Sequence, residues 1–451
     1  MIGMTVGEIA AIVGGTLSGA AGGTVTGVTK DSRDDCAGCL YAAIPGAKAD
    51  GHDFIAMAFD KGAVCALANR VPAGELRPVI VVNDVEAALR ALAGAYRRRL
   101  TIPVIGIAGS VGKTTTKEMV ASVLAQRYRV HKTEKNFNND LGVPLTLLRI
   151  GAADQVSVVE MGISDFGEMT GLAEMVRPTM AVYTVIGHAH LERLRDRPGV
   201  FAAKTEMLAY LPDSGTVFAN GDDDLLAALR CRQKLILYGR GGNSAVRAEN
   251  IRAEGLLGTS FDIVCARRRI SVRIPAYGGH MVHAALAGAA VGLELGLTDG
   301  EIAAGIAAYA PVGRRASVTD TGFVTLIDDC YNANPDSVRA AIDSMAAFPG
   351  RKVCILGDML ELGEDSPALH RAVGSCAARM GAALVLTAGE RARDIGAAAR
   401  EGGAQAEAYD TVDALLADLP GLLRQGDAVL VKASHSMEFD RVADAVKALK
   451  I

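Results

Sequence analysis

Residues 101–118 read TIPVIGIAGSVGKTTTKE, and this stretch decides the fold. Thr101 to Ala108 is an apolar, β-branched run without alternation, the composition of a strand covered on both faces in a parallel sheet. Gly109 to Thr115 then form a glycine-punctuated turn, and Thr116 to Arg127 continue as an amphipathic helix. Strand, glycine-rich turn and helix in that order make a phosphate site. The glycines let backbone N–H groups wrap phosphate oxygens, the lysine neutralises the β/γ-phosphates, and a hydroxyl reaches Mg²⁺. Gly109, Ser110, Val111, Gly112, Lys113, Thr114 and Thr115 are therefore the expected ATP-binding residues, with Thr114 also expected on Mg²⁺. Ala108 stands where the outer glycine of the commoner pattern would sit.

Working outward, Gln155–Met161, Met180–Ile186, Gly215–Asn220 and Leu235–Tyr238 read as further strands, with helical segments between several of them. That alternation predicts a mostly parallel sheet covered by helices. Ser244–Arg273 alternates with period two and is expected to extend the sheet antiparallel, followed by an Ala/Leu helix over Met281–Gly296. Near Pro311, Gly313 and Arg314 the pattern restarts as a β/α unit, typical of one doubly wound domain. The first hundred residues look like a small α/β unit, with a helix over Val85–Arg97. The fold class is α/β with three domains: a small N-terminal α/β domain (1–100), a central P-loop ATPase-like domain with a mostly parallel sheet (101–312), and a Rossmann-like C-terminal domain (313–451). A length of 451 residues agrees with about three domains.

Composition excludes several functions. Half the residues are hydrophobic and formal net charge is −4, with no block of like charge, which argues against nucleic-acid binding. Arg97, Arg98 and Arg99 form the one tight basic cluster, read as a solvated helix end. Eight scattered cysteines and no targeting pattern suggest a reduced, cytoplasmic protein. Cys36 and Cys39 lack the second pair that a zinc site needs. No apolar run reaches membrane-spanning length. Tryptophan is absent and aromatics are scarce, so the core should rest on Ala, Val, Leu, Ile and Met. A monomer is the default.

Bound Mg²⁺ usually needs further oxygen ligands. Glu160 closes the strand that runs into it, where parallel sheets present ligand-binding groups; the lesser alternative is a carboxylate capping the next turn. His190, just past another strand, is a second candidate beside a purely structural role.

At this point several motifs carry a resemblance. They are Asp31-Ser32-Arg33 with DGHDF at 50–54, the GSVGKTTTKE loop, NFNN at 136–139 with GVPLT at 142–146, VEMG at 159–162, AHLE at 189–192, Ala203-Lys204, DDCYNANPDS at 328–337 and GDMLELG at 357–363. Together they span essentially the whole chain, which resembles the Mur ligases of peptidoglycan precursor synthesis. YNANPDS and LGDMLELG look like the member that joins D-alanyl-D-alanine to UDP-N-acetylmuramoyl-tripeptide. The alternative is another Mur-type or folylpolyglutamate-type amide ligase.

The resemblance implies an N-terminal domain holding the UDP-sugar, a central ATPase and a C-terminal domain receiving the dipeptide. It implies catalysis through an acyl phosphate with ATP and two Mg²⁺. Lys113, Glu160, His190 and Lys204 would be catalytic, and Thr114, Glu160, His190 and Lys204 would reach metal, Lys204 as a carbamate. The bland alternative for Lys204 is a surface lysine paired with Glu206. Asn334 would contact adenine, Asp329 or Asp328 the ribose, and Arg314 or Arg315 the phosphates, with Arg314 and Asp329 preferred. Ser32, Arg33, Asn138, Asn139, Asp358 and Ser434 would meet substrate. The chain departs from the family pattern at GHMVH (279–283), at Val185, and at KASHSM (432–437) in place of Lys-Gly-Ser-Arg.

Overall fold

The computed structural model describes residues 1–20, 22–46, 49–254 and 257–450. Val104, Ile105, Ile107 and Ala108 are wholly buried, Val104 and Ala108 in one apolar cluster and Ile105 and Ile107 in another. The strand Val104–Ala108 is thus covered on both faces, as its unbroken apolar run requires. It pairs in parallel with Val156–Glu160 on one side and Met180–Tyr183 on the other. The chain leaves this strand in both directions across a nine-stranded sheet. Such a reversal opens a crevice at the carboxyl ends of the strands, and the turn after Ala108 lies there.

Beyond Thr216–Asn220 and Lys234–Gly239, the sheet ends in three strands, Val246–Ala253, Thr259–Cys265 and Arg268–Ile274. Neighbours among these three pair antiparallel, as the alternation over Ser244–Arg273 predicted. The helix Lys113–Leu124 packs on Gly279–Glu294 and Asp299–Ala307 at close range. A Cβ on Gly305 would sit 2.4 Å from the Val123 Cα, so no larger residue fits there.

A five-stranded sheet within residues 16–81 forms the N-terminal domain, parallel except for its Thr16–Ser18 edge. The C-terminal domain holds six strands, parallel except where Ser317–Asp320 pairs with Thr325–Asp328. Among the described residues no helix is long and apolar enough to cross a membrane, and all eight cysteines are free.

Two composition readings need correction. Arg97 is not a solvated helix end: it is buried, and its guanidinium donates to the Val176, Arg177 and Leu100 carbonyls, which ties the helix Val85–Arg97 to the central domain. The core is not purely aliphatic either. Tyr41, Tyr96, Tyr183 and Tyr238 are among its largest fully buried side chains, and all but Tyr183 send the hydroxyl to a backbone carbonyl.

Candidate active site

The turn after Ala108 is shaped by two glycines with positive φ, +152° at Gly109 and +80° at Gly112. Gly109 also has no room for a side chain, because a Cβ would lie 1.9 Å from Thr184 Oγ1. That hydroxyl is in use: it donates to the Val111 carbonyl at 2.6 Å and so clamps the turn. Gly112 leads directly into the helix Lys113–Leu124, whose first turn points unpaired N–H groups at the crevice. Lys113 folds back so that its Nζ donates to the Gly109 carbonyl at 2.8 Å.

Glu160 faces the same place from the neighbouring strand. Its Oε1 accepts from Thr114 Oγ1 at 3.0 Å and from Asn138 Nδ2 at 2.9 Å, while its own N–H is held by Thr133 Oγ1. It does not cap a turn. Its Oε2 is buried without a hydrogen-bond partner, and the nearest cation is Lys117 Nζ at 3.9 Å. Lys117, itself buried, donates to the Thr133 carbonyl at 2.7 Å and pairs with Glu118 at 3.0 Å. A carboxylate fixed through one oxygen and unoccupied at the other fits a hard divalent ion. Among the described residues no three His, Cys, Asp or Glu side chains are grouped to hold a metal alone, so phosphate oxygens and water would complete the shell.

Lys204 is 1% exposed, on the helix Arg197–Thr205, and is not a surface lysine. Glu206 is engaged elsewhere, accepting from Thr170 and the Gly167 amide. Burial first, then the nearby Lys113 charge, drive the Lys204 pKa well below its ordinary value, with Glu168 opposing weakly. Desolvation likewise lowers Lys113, against the pull of Glu160. His190 lies in the left-handed region at φ 55°, with Nδ1 2.5 Å from Glu361 Oε2, close enough for an ion pair but not aligned as a hydrogen bond. Burial lowers its pKa; Glu361 opposes this, while Lys204 and Lys113 reinforce it.

Lys113, Glu160 and His190 open onto a cavity of about 390 Å³ between the central and C-terminal domains. Ser110 to Thr115, Asn138, Asn139, Glu160 and His190 line it from one side, and Arg315, Asp329, Asn334 and Lys432 from the other. Asn334 caps the helix Pro335–Ser344 with its Oδ1, accepting from the Ser337 N–H at 2.8 Å, which leaves its NH₂ available to a ligand. Asp329 is held by Lys432 Nζ at 2.6 Å.

The expectation for Arg314 is corrected. Its guanidinium is bound by Asp328 at 3.0 Å and Asp444 at 2.8 Å, and it does not line the cavity. Arg315 does, stacked over the Tyr331 ring at 3.7 Å. Ser32, Arg33, Asp358, Ser434 and Lys204 do not line this cavity either. Ser32 is buried in the N-terminal domain, and Arg33 is exposed and paired with Asp31. Asp358 accepts from the Ala392 N–H and Ser434 Oγ from the Leu360 N–H, so both brace loops. Lys117 was missed in the sequence, although it follows Lys113 by one helical turn and therefore shares its face.

Three family descriptions match successive parts of the chain: Mur ligase family, catalytic domain (24–108), Mur ligase middle domain (107–292) and Mur ligase, glutamate ligase domain (313–435). Proteins named UDP-N-acetylmuramoyl-tripeptide–D-alanyl-D-alanine ligase are similar over nearly their whole length. That of Mycobacterium tuberculosis H37Rv is 36% identical over 99% of this chain and 98% of its own. That of Escherichia coli K12 is 34% identical over 99% of both. The chain belongs to the Mur ligase family. Among solved Mur ligases, MurF from Acinetobacter baumannii superposes with a TM-score of 0.90 at 28% identity, covering 99% of both chains. MurF ligase from Thermotoga maritima, solved in complex with ADP, gives 0.81 at 26% identity over 94% of this chain and 97% of its own.

Proposed function

We propose that this Mur ligase joins D-alanyl-D-alanine to UDP-N-acetylmuramoyl-tripeptide at the expense of ATP, as a single chain in the cytoplasm. One observation carries the reading: residues of the phosphate turn, Glu160 and His190 share a single cavity with Asn334, Asp329 and Arg315 of the next domain. Such a site can hold a nucleotide's phosphates at one wall and its nucleoside at the other. The full-length similarity to proteins named for this reaction supports the choice of substrates.

In this reading residues 1–100 hold the UDP-sugar, 101–312 the ATP and 313–451 the dipeptide. A carboxylate oxygen of the tripeptide attacks the γ-phosphorus and ADP leaves. The dipeptide amine then attacks the acyl carbon, loses a proton and expels inorganic phosphate as the amide forms. Little covalent work falls to the protein; it positions reactants and neutralises charge. Lys113 and the helix N-terminus oppose the phosphate charge, joined by Arg315 from the other wall. Thr114 and Glu160 would hold one Mg²⁺, and His190 with carbamylated Lys204 a second. The ions would supply charge neutralisation on the transferring phosphoryl group. Burial that lowers the Lys204 pKa favours the neutral amine that carbamylation requires. The two domains enclosing the cavity would keep water from the acyl phosphate.

The test is ADP release from a mixture of protein, ATP, UDP-N-acetylmuramoyl-tripeptide and D-Ala-D-Ala. Turnover with a different amine in place of D-Ala-D-Ala, and none with it, would transfer the protein to another member of the family.

A further inference from the structure

Between the strand ending at Tyr183 and the helix starting at Leu191 runs a loop that touches both the turn after Ala108 and the C-terminal domain. Its early residues are fixed by the central domain. The Val185 carbonyl accepts from the Ser110 N–H at 2.7 Å and the Gly187 carbonyl from Ser110 Oγ at 3.2 Å, both in the phosphate turn. Ile186 is held at both ends, its N–H by Asp223 and its carbonyl by Arg197, each at 2.8 Å. The loop ends at His190 in its left-handed conformation. Between these fixed points the His188 N–H is bound from outside the domain: it donates to Asp336 Oδ2 at 2.6 Å, and the His188 ring Nδ1 lies 3.1 Å from the same oxygen. Gly187 makes the approach possible, since a Cβ there would stand 2.3 Å from Asp336 Oδ2.

Asp336 lies in the first turn of the helix Pro335–Ser344, two residues after Asn334. We propose that Asp336 is a positioning residue: by gripping Gly187–His188 it ties the C-terminal domain to the phosphate turn at one end of the loop and to His190 at the other. The inference rests on the ligase reading for its consequence in turnover, but not for the contact itself. The simpler role, an acidic residue favouring its own helix N-terminus, would affect stability alone and only slightly. A short bond from a backbone N–H to a carboxylate is charge-assisted and orients as well as attracts. Arg339, 3.5 Å from Asp336 Oδ1, holds the carboxylate from its own helix.

The experiment compares the wild type with Asp336→Ala and Asp336→Asn. In Asp336→Ala, hydrogen exchange across residues 186–190 should accelerate about 10- to 100-fold, the loss of one hydrogen bond to a charged group. kcat should fall about 10²-fold, as for a misplaced reacting group, with KM for the UDP-tripeptide unchanged. Asp336→Asn keeps an acceptor for the His188 N–H and should stay within about threefold of wild type in both readouts. Unchanged exchange in the alanine variant, unchanged kcat despite faster exchange, or an asparagine variant as slow as the alanine one would each overturn the proposal. A wild type that turns over no substrate would count against the ligase reading instead, while the exchange comparison still decides whether Asp336 holds the loop.

Discussion

Gly109→Ala should damage this protein through one atom. The added Cβ would lie 1.9 Å from Thr184 Oγ1 where an ordinary contact begins at 3.4 Å, so turn and threonine must separate by about 3.4 − 1.9 = 1.5 Å. The φ of +152° adds backbone strain for any residue with a side chain. Thr184 cannot simply step aside, because its hydroxyl holds the Val111 carbonyl at 2.6 Å. Overpacking of this kind costs about 1–3 kcal/mol, and the strained φ about 1–3 more. A domain of this size loses about 2–4 °C of melting temperature per kcal/mol, so calorimetry should show a fall of several degrees. ATP-dependent ADP release should drop by about 10²-fold, because the phosphate cradle is displaced by more than 1 Å. Thr184→Ala removes the colliding oxygen, so Gly109→Ala/Thr184→Ala should lose less stability than the sum of the two single variants. Strictly additive losses, or full activity in Gly109→Ala, would refute the role given to this contact.

Glu160→Gln should leave the fold intact yet weaken Mg²⁺-dependent ATP binding by at least about tenfold in calorimetric titration, because the oxygen left open in the wild type no longer carries charge. ¹³C-labelled bicarbonate should produce a carbamate resonance in the wild type that is missing from Lys204→Met; identical spectra would remove the carbamate from the account. Arg315→Ala should raise KM for ATP about tenfold or more, as expected for loss of a charged contact. Arg314→Ala should lower thermal stability instead, and the reverse pattern would reinstate Arg314. His283 Nε2 lies 2.7 Å from Asp222, whose pKa falls to about 2 mainly through this contact. A folded-state pKa below the unfolded value gives stability that is present above about pH 4 and lost as pH falls towards about 2. Replacing His283 by Ala should therefore move the acid-unfolding midpoint upward.

Much of the site was legible because its parts are contiguous. Two glycines, a lysine and a threonine within the seven residues after a strand form the turn by local geometry alone, and Glu160 follows from its place at a strand end. Element limits were looser: the strand starting at Thr101 in the sequence reading begins at Val104 in the structure, where Pro103 has a carbonyl to offer the ladder but no N–H to donate. Arg314 and Arg315 were beyond sequence reasoning. They are adjacent and chemically identical, and only the direction each side chain takes separates one tied to Asp328 and Asp444 from one stacked on Tyr331.

By itself the order of residues determined three α/β domains, a nucleotide site and the family, since periodicity and contiguous motifs are local properties of the chain. Only the tertiary structure decided which groups from separate domains meet. Lys204 is buried near Lys113, Glu361 stands against His190, and Asp336 grips His188 from 148 residues away. Those pairings arise from how sheets and helices stack, and burial then alters the chemistry of each group by removing the water that would have screened its charge.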